Sequence, residues 1–311
     1  MNLETRHFDV VVVGGGPGGI AAALWCRELG LSVALIEKGA ELGGQLLRIF
    51  NPIENYPGLR TENGAELARL FTASLDNQLP VVLKGVAVSS INFADRILSL
   101  SNGEAISAGA IVLATGVRRR RLGVPGEAEF LGRGVLESGV GQRNECKNKR
   151  VVIVGGGDAA VENAVILGKV ASAVTVVHRR GDFSARPEFI DEARSLKNVE
   201  FVMNATVEAI EGDSTVRGVR ISENGRTREI EADAVLIRIG VEPNSSIAAG
   251  ALDVDAAGYI TVDRECRTSM EGTYAIGDIA SPTSPTICTA VGMGATAAKS
   301  AFNLLKGGKS L

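Results

Sequence analysis

Two glycine clusters, each entered by an apolar β-branched run and followed by a helix-forming stretch, constrain this chain more than any other feature. The first runs Phe8-Asp9-Val10-Val11-Val12-Val13-Gly14-Gly15-Gly16-Pro17-Gly18-Gly19 and continues into Ile20 to Leu29. It reads as strand, tight turn and helix. Gly14 permits the turn, Gly16 lets a ligand's phosphates approach the main chain, and Gly19 lets helix and strand pack closely. The helix N-terminus supplies free N–H groups and the positive end of a dipole. A second strand, Ser32 to Ile36, ends in Glu37, about 20 residues on. A carboxylate there suits a ribose diol, so this half reads as a dinucleotide site.

The second cluster repeats the logic. Val151 to Val154 leads into Gly155-Gly156-Gly157-Asp158-Ala159-Ala160, a helix-like Val161 to Leu167 and a strand Ala173 to Val177. Ala160 takes the place of the third glycine, which the fingerprint permits. The place equivalent to Glu37 holds His178, followed by Arg179 and Arg180. A carboxylate would repel a 2′-phosphate, whereas guanidinium groups bind phosphate through paired, charge-assisted hydrogen bonds. The site therefore reads as one for NADP(H), with Gly155, Gly157, Asp158, Ala159, His178, Arg179, Arg180 and Arg186 as its candidate residues.

The rest of the chain is consistent with two such halves. With 311 residues, 45% hydrophobic and 22% charged, it can bury two ordinary cores. A net charge of −3 gives no general attraction to nucleic acid or an anionic membrane. The longest apolar stretch is interrupted by glycines and Pro17, and the first residues carry no signal-peptide pattern, so a cytoplasmic protein is expected. No metal ligand set is expected. Ala110 to Gly116 reads as a strand and small-residue turn, Tyr274 to Asp278 as another strand ending in an acid, and Thr289 to Ala298 as part of a helix. These belong with the first cluster. The expected architecture is α/β, with two Rossmann-like three-layer dinucleotide-binding domains, one inserted into the other, at boundaries 1–117, 118–241 and 242–311. Arg118 to Arg121 then reads as a solvated hinge.

Taken together, Gly14 to Pro17, Gly43-Gly44-Gln45-Leu46, Asn55-Tyr56-Pro57-Gly58, Ala114-Thr115-Gly116, Gly155 to Asp158, His178-Arg179-Arg180 and Gly277-Asp278 resemble the thioredoxin reductase-like branch of the two-dinucleotide flavoproteins. The resemblance implies FAD in the split domain, NADPH in the inserted one, and a homodimer. The FAD contacts it implies fall on Gly14, Gly16, Pro17, Gly19, Glu37, Lys38, Gly44, Gln45, Leu46, Asn55, Val86, Ala114, Thr115, Gly116, Gly277, Asp278 and Ile287.

The departures carry the functional expectation. The family's Cys-x-x-Cys positions fall on Ser138 and Gly141, and the four cysteines present, Cys26, Cys146, Cys266 and Cys288, make no such pair. Cys26 reads as a packing thiol. Cys146 and Cys266 stand in polar, loop-like sequence where a reactive thiol is one reading, and Cys288 opens a helix, where a thiol's pKa falls. The family's third arginine reads Ser184, with Arg186 two residues on, and its arginine-glutamine-alanine run reads Pro285-Thr286-Ile287. His7 precedes a strand and reads as a surface residue. The expected function is an NADPH-dependent FAD oxidoreductase passing electrons from the flavin directly to an external acceptor, a small molecule or a redox protein. Ferredoxin or flavodoxin-NADP reductases are the nearest precedent, although a flavin-covering C-terminal segment is not seen here. An FAD-dependent oxidase of a dithiol or biosynthetic intermediate and a non-catalytic flavin-binding protein are the alternatives.

Overall fold

The computed structural model describes residues 6–75, 81–280 and 283–307. The chain forms two compact units, one of residues 1–118 and 242–311, the other of residues 119–241. Among the described residues no helix is long and apolar enough to cross a membrane.

The first unit contains β1 (Arg6–Val13), β2 (Val33–Glu37), a hairpin of β3 (Ile53–Tyr56) and β4 (Leu59–Thr61), β5 (Val81–Lys84), β6 (Val88–Asn92), β7 (Ile97–Leu100), β8 (Ala105–Leu113) and, late in the chain, β19 (Thr273–Ala275). Its main sheet runs β5-β2-β1-β8-β7-β6, with β19 also beside β8. β1 lies at the centre, parallel to both neighbours, with Val10 opposite Val33 and Ala110. Parallel central strands are covered on both faces, so the whole run Val10 to Val13 is buried rather than alternating with polar residues. The two faces still separate by parity. Val10 and Val12 join a core beneath α1 (Pro17–Glu28) and α5 (Ile287–Leu305), while Val11 and Val13 face a second core with Leu98, Ile106 and Ile279. A smaller core forms under α2 (Gly64–Ala73), around Leu46, Ile53 and Leu67.

The second unit repeats the plan. β10 (Val135–Leu136), β11 (Arg150–Val154), β12 (Ala173–Val177), β13 (Val199–Val202) and β17 (Ala234–Ile237) form a parallel sheet in the order β10-β17-β11-β12-β13. Parity again separates its faces. Val151 and Ile153 pack on α3 (Asp158–Gly168), which sits beside α4 (Pro187–Ser195). Val152 and Val154 pack on the antiparallel sheet of β14 (Ala205–Gly212), β15 (Val216–Glu223) and β16 (Arg226–Glu231). The two chain crossings, β9 (Val117–Arg119) and β18 (Val241–Pro243), pair as a short ribbon. The α/β class and the three-layer units expected from the sequence are what the chain adopts.

α1 and α5 approach closely because both are rich in small residues. A Cβ placed on Gly294 would stand 2.5 Å from Gly18 O and 2.9 Å from Ala22 N. These are main-chain atoms at the start of α1, which cannot step aside without moving the glycine turn. Gly294→Leu is therefore expected to cost about 1–3 kcal/mol as an overpacked site. Thermal melting should show the loss as a fall of about 2–4 °C per kcal/mol, with a parallel loss of bound cofactor.

Candidate functional site

At the end of β1 the chain turns through Gly14, whose φ is +108°. A Cβ there would stand 2.4 Å from Ala114 O, and one on Gly19 would stand 1.8 Å from Gly14 O. The turn is thus held between the end of β8 and the first turn of α1 by contacts that only glycine permits. Gly16 is different, since nothing comes nearer to its would-be Cβ than Gly44 Cα at 4.0 Å. That gap is an open main-chain cradle at the N-terminus of a twelve-residue helix, where a phosphate is well received.

Glu37 fixes the neighbouring loop. Its Oε2 accepts from Gly15 N (2.7 Å) and its Oε1 from Gly39 N (2.7 Å), so the carboxylate is oriented before any ligand arrives. Asn244 does the same on the other side. Its side chain donates to Thr115 O (2.8 Å), its N–H donates to Gly116 O (2.9 Å), and Thr115 Oγ1 donates to Asn244 O (3.0 Å). Gln45 Nε2 donates to Val117 O (2.7 Å). Between these elements lies a cavity of about 620 Å³. Of the residues expected at the FAD site, all but Gly19, Leu46 and Asn55 line it. Gly19 serves the turn, Leu46 is buried under α2, and Asn55 is exposed on β3. Asp278 stands half-buried in the wall, and burial pushes its carboxyl above the usual range. A hydroxyl donor from a ligand would relieve that cost. The open glycine cradle, oriented carboxylate and half-buried acid fit a dinucleotide with ribose and ribityl hydroxyls.

Sequence reasoning missed several lining residues, among them Arg48, Arg118, Asn244 and Ile247. The role of Asn244 depends on its folding back onto Thr115, which no local pattern announces.

The second unit holds the same kind of turn. Gly155 has φ +147°, and its Cβ would stand 2.1 Å from Arg238 O. Gly157 faces open space, with Ser184 Oγ at 3.7 Å as the nearest neighbour. Asp158 opens α3 and Ala159 is exposed beside it. Arg179 and Arg180 are both exposed, and neither guanidinium has a hydrogen bond or ion pair among the described residues. His178 and Arg186 are placed otherwise. His178 is buried, stacked on Phe183 at 5.5 Å, with Nε2 donating to Asp182 O at 3.1 Å. A Cβ on Gly156 would stand 2.3 Å from its ring, so the imidazole shapes the loop from within. Burial, with the two arginines nearby, lowers its pKa and keeps it neutral. Arg186 pairs with Asp158 (3.1 Å), to which its N–H also donates (2.7 Å), and lies over Phe189 at 4.2 Å.

Ser138 and Gly141 lie just beyond β10. Ser138 Oγ accepts from Gly141 N (3.1 Å), and Gln142 Oε1 accepts from Glu137 N (2.8 Å) and Ser138 N (3.2 Å). All four cysteines are free thiols, and only Cys288 is exposed. Cys146 and Cys266 correct the reading from their polar neighbours: both are buried, in the α3 core and the α1–α5 core respectively. Burial pushes Cys26 up to about 12 and Cys266 to about 11, and it raises Cys146 as well. Outside the sites, His7 Nδ1 meets Ser107 Oγ at 3.0 Å on the surface.

These burials predict that a chromogenic disulfide reagent at pH 8 reacts quickly with one thiol in the native protein and with four after unfolding. A Cys288→Ser variant should lose the fast phase entirely. A second fast thiol in the native state would contradict the placement of Cys146 or Cys266.

Residues 8–294 match the family model described as pyridine nucleotide-disulphide oxidoreductase. The chain is 36% identical to a thioredoxin reductase of Treponema pallidum, covering 97% of this chain and 98% of that one. It is 33% identical to a thioredoxin reductase of Listeria monocytogenes, covering 97% and 95%. Among solved structures it is similar to the Lactococcus lactis thioredoxin reductase in its FR conformation, with a TM-score of 0.84 and 29% identity over 96% of this chain and 99% of that one. The T. acidophilum thioredoxin reductase is also similar, with a TM-score of 0.81 and 32% identity over 96% and 98%. A chain with two glycine-turn units of this geometry, matched over nearly its whole length, belongs to the pyridine nucleotide-disulphide oxidoreductase family and is an NAD(P)H- and FAD-dependent oxidoreductase of thioredoxin reductase-like fold.

Proposed function

We propose that the protein is an NADPH-dependent FAD oxidoreductase whose electrons pass to an external acceptor without an internal disulfide. What supports this reading is the segment beyond β10: the resemblance sets the family's cysteine pair at Ser138 and Gly141, and there a serine hydroxyl accepts from the glycine N–H. Neither can be oxidised to a disulfide. When bound, FAD supplies the chemistry of taking a hydride from a nicotinamide and releasing electrons one or two at a time.

The chain's own residues bind and orient. In the first unit Gly16 leaves room for the pyrophosphate, Glu37 presents a fixed carboxylate to a ribose, and Asp278 accepts from a hydroxyl. In the second, Gly157 leaves the equivalent gap, and Arg179 and Arg180 offer unpaired guanidinium groups to a 2′-phosphate. Asp158 would oppose an arriving phosphate at the start of α3, and Arg186 neutralises it. His178 holds the arginine loop against Gly156 rather than reaching the nucleotide. The relatives named above are thioredoxin reductases. Direct thioredoxin reduction needs a dithiol that can exchange with the partner's disulfide, and the lone exposed thiol, Cys288, has no second cysteine beside it. A ferredoxin or flavodoxin, or a small organic oxidant, is the class of acceptor left.

Anaerobic titration of the purified protein with NADPH tests the reading. The flavin band near roughly 450 nm should bleach with about one equivalent and regain its absorbance with an added one-electron acceptor, while reduced thioredoxin fails to accumulate. Absence of bleaching in a protein that carries FAD would instead favour an oxidase that takes electrons from its own substrate, or a non-catalytic flavoprotein. Replacing Arg179 and Arg180 together by alanine should raise the apparent KM for NADPH about tenfold or more and leave NADH nearly unchanged, because only the 2′-phosphate contact is lost. Equal losses with both nucleotides would remove the NADPH assignment.

A further inference from the structure

Arg238 is a positive charge that the fold buries without an opposite one. It follows β17 directly and is 9% exposed. Its Nη1 donates to Ile237 O (2.7 Å) and its Nη2 to Glu137 O (3.1 Å), both neutral carbonyls. Among the described residues no carboxylate lies within ion-pair distance of it, and the charge nearest in effect is a second cation, Arg119. Burial and that neighbour lower the guanidinium to about 10, still protonated at neutral pH. A desolvated charge with only carbonyl partners is costly in isolation, and an arriving anion offsets part of that cost.

Its place in the sheet points to where the anion would come from. Ligands of open parallel sheets bind beyond the C-terminal strand ends, at the point where the strand order reverses. In β10-β17-β11-β12-β13 that point lies between β11 and β17, because the chain leaves β11 towards β12 on one side and has β17 on the other. Arg238 stands there, its carbonyl against the Gly155 turn. Its side chain reaches Glu137, the residue before the Ser138 to Gly141 segment. We propose that Arg238 is an oxyanion-binding residue, taking a carboxylate, sulfonate or phosphate group of the ligand that occupies the face beside Ser138 to Gly141. This rests on the reading of that face as the one used in place of a cysteine pair. The oxyanion belongs either to a separate anionic acceptor or to the nucleotide's own phosphate, and both present the same chemistry to a guanidinium.

Calorimetric titration of the FAD-loaded protein with benzenesulfonate, and with benzyl alcohol as the uncharged counterpart, tests the proposal without any turnover. Benzenesulfonate is expected to bind at least tenfold more tightly than benzyl alcohol. Arg238→Met should abolish that preference, and Arg238→Lys should keep part of it. Sulfonate binding that survives saturating NADP⁺ assigns the oxyanion to a separate acceptor, and displacement assigns it to the nucleotide. No preference for the sulfonate in the wild-type protein overturns the proposal even if Arg238→Met does not fold, and so does a preference that Arg238→Met leaves intact. Flavin bleaching by NADPH is scored separately, so a failure of the proposed function is told apart from a failure of the oxyanion site.

Discussion

One steric arrangement recurs at the end of both central strands, and the rest of the structure depends on it. A carbonyl from the strand on the far side sits where a side chain would otherwise be, Ala114 O against Gly14 and Arg238 O against Gly155. This contact allows the outgoing helix to start directly above the strand end, with open space beside Gly16 and Gly157 at its N-terminus. In the first unit the demand extends further, since α1 must also accept α5 at Gly18 and Gly294. A phosphate cradle at the turn and a small-residue helix pair behind it are consequences of the same close packing.

Around this shared frame the two units distribute charge in opposite ways. The first presents an acid, Glu37, whose two oxygens are already committed to main-chain N–H groups and whose remaining lone pairs can accept from a ribose. The second presents two unpaired guanidinium groups and spends a third, Arg186, on neutralising Asp158. A site for a 2′-phosphate gains little from an acid at the helix start, so the pair is best understood as removing a repulsion. His178 stacked on Phe183, which in turn meets Phe201 edge to face, then fixes the arginine loop without using charge at all.

Much of this was legible in the sequence because it depends on main-chain geometry. The strand runs, the two turns and the helices that follow them are readable from glycine spacing and apolar periodicity; the structure has β11 and β12 within one residue of where the pattern puts them, with α1 and α3 starting three residues earlier. What depends on side-chain direction was not legible. Cys146 lies between Glu145 and Lys147, which suggests a surface, yet its own side chain turns into the α3 core. Cys266 sits at φ +62° in a charged loop, and that backbone turns its sulfur inward to Met293 O. His178 shares a register with a ribose-binding acid, but register fixes the place of its Cα and not the side on which the ring lies. Asn55 matched a family motif and is exposed on its hairpin, whereas Asn244 matched nothing and holds the cavity wall.

The segment beyond β10 is held by hydrogen bonds rather than by a covalent bridge. A disulfide closes a loop through side chains, with Cα atoms about 4.4–6.8 Å apart. Here the loop is closed through the main chain by Ser138 Oγ and Gln142 Oε1. Gly139 is pressed so closely on α3 that a Cβ would stand 2.0 Å from Asn163 Oδ1 and 3.0 Å from Leu236 Cδ2. Asn163 is itself anchored by a hydrogen bond from Nδ2 to Ala159 O at 2.7 Å, so it has little room to yield. Gly139, the first of the two residues between Ser138 and Gly141, is therefore fixed as glycine by packing, and the Ser138 hydroxyl accepts from the Gly141 N–H. A thiol at 138 would be a poorer acceptor for the Gly141 N–H than the Ser138 hydroxyl. Arg238 adds a third tie at Glu137 O. These hydrogen bonds hold the segment in one shape, whereas a redox pair must open and close.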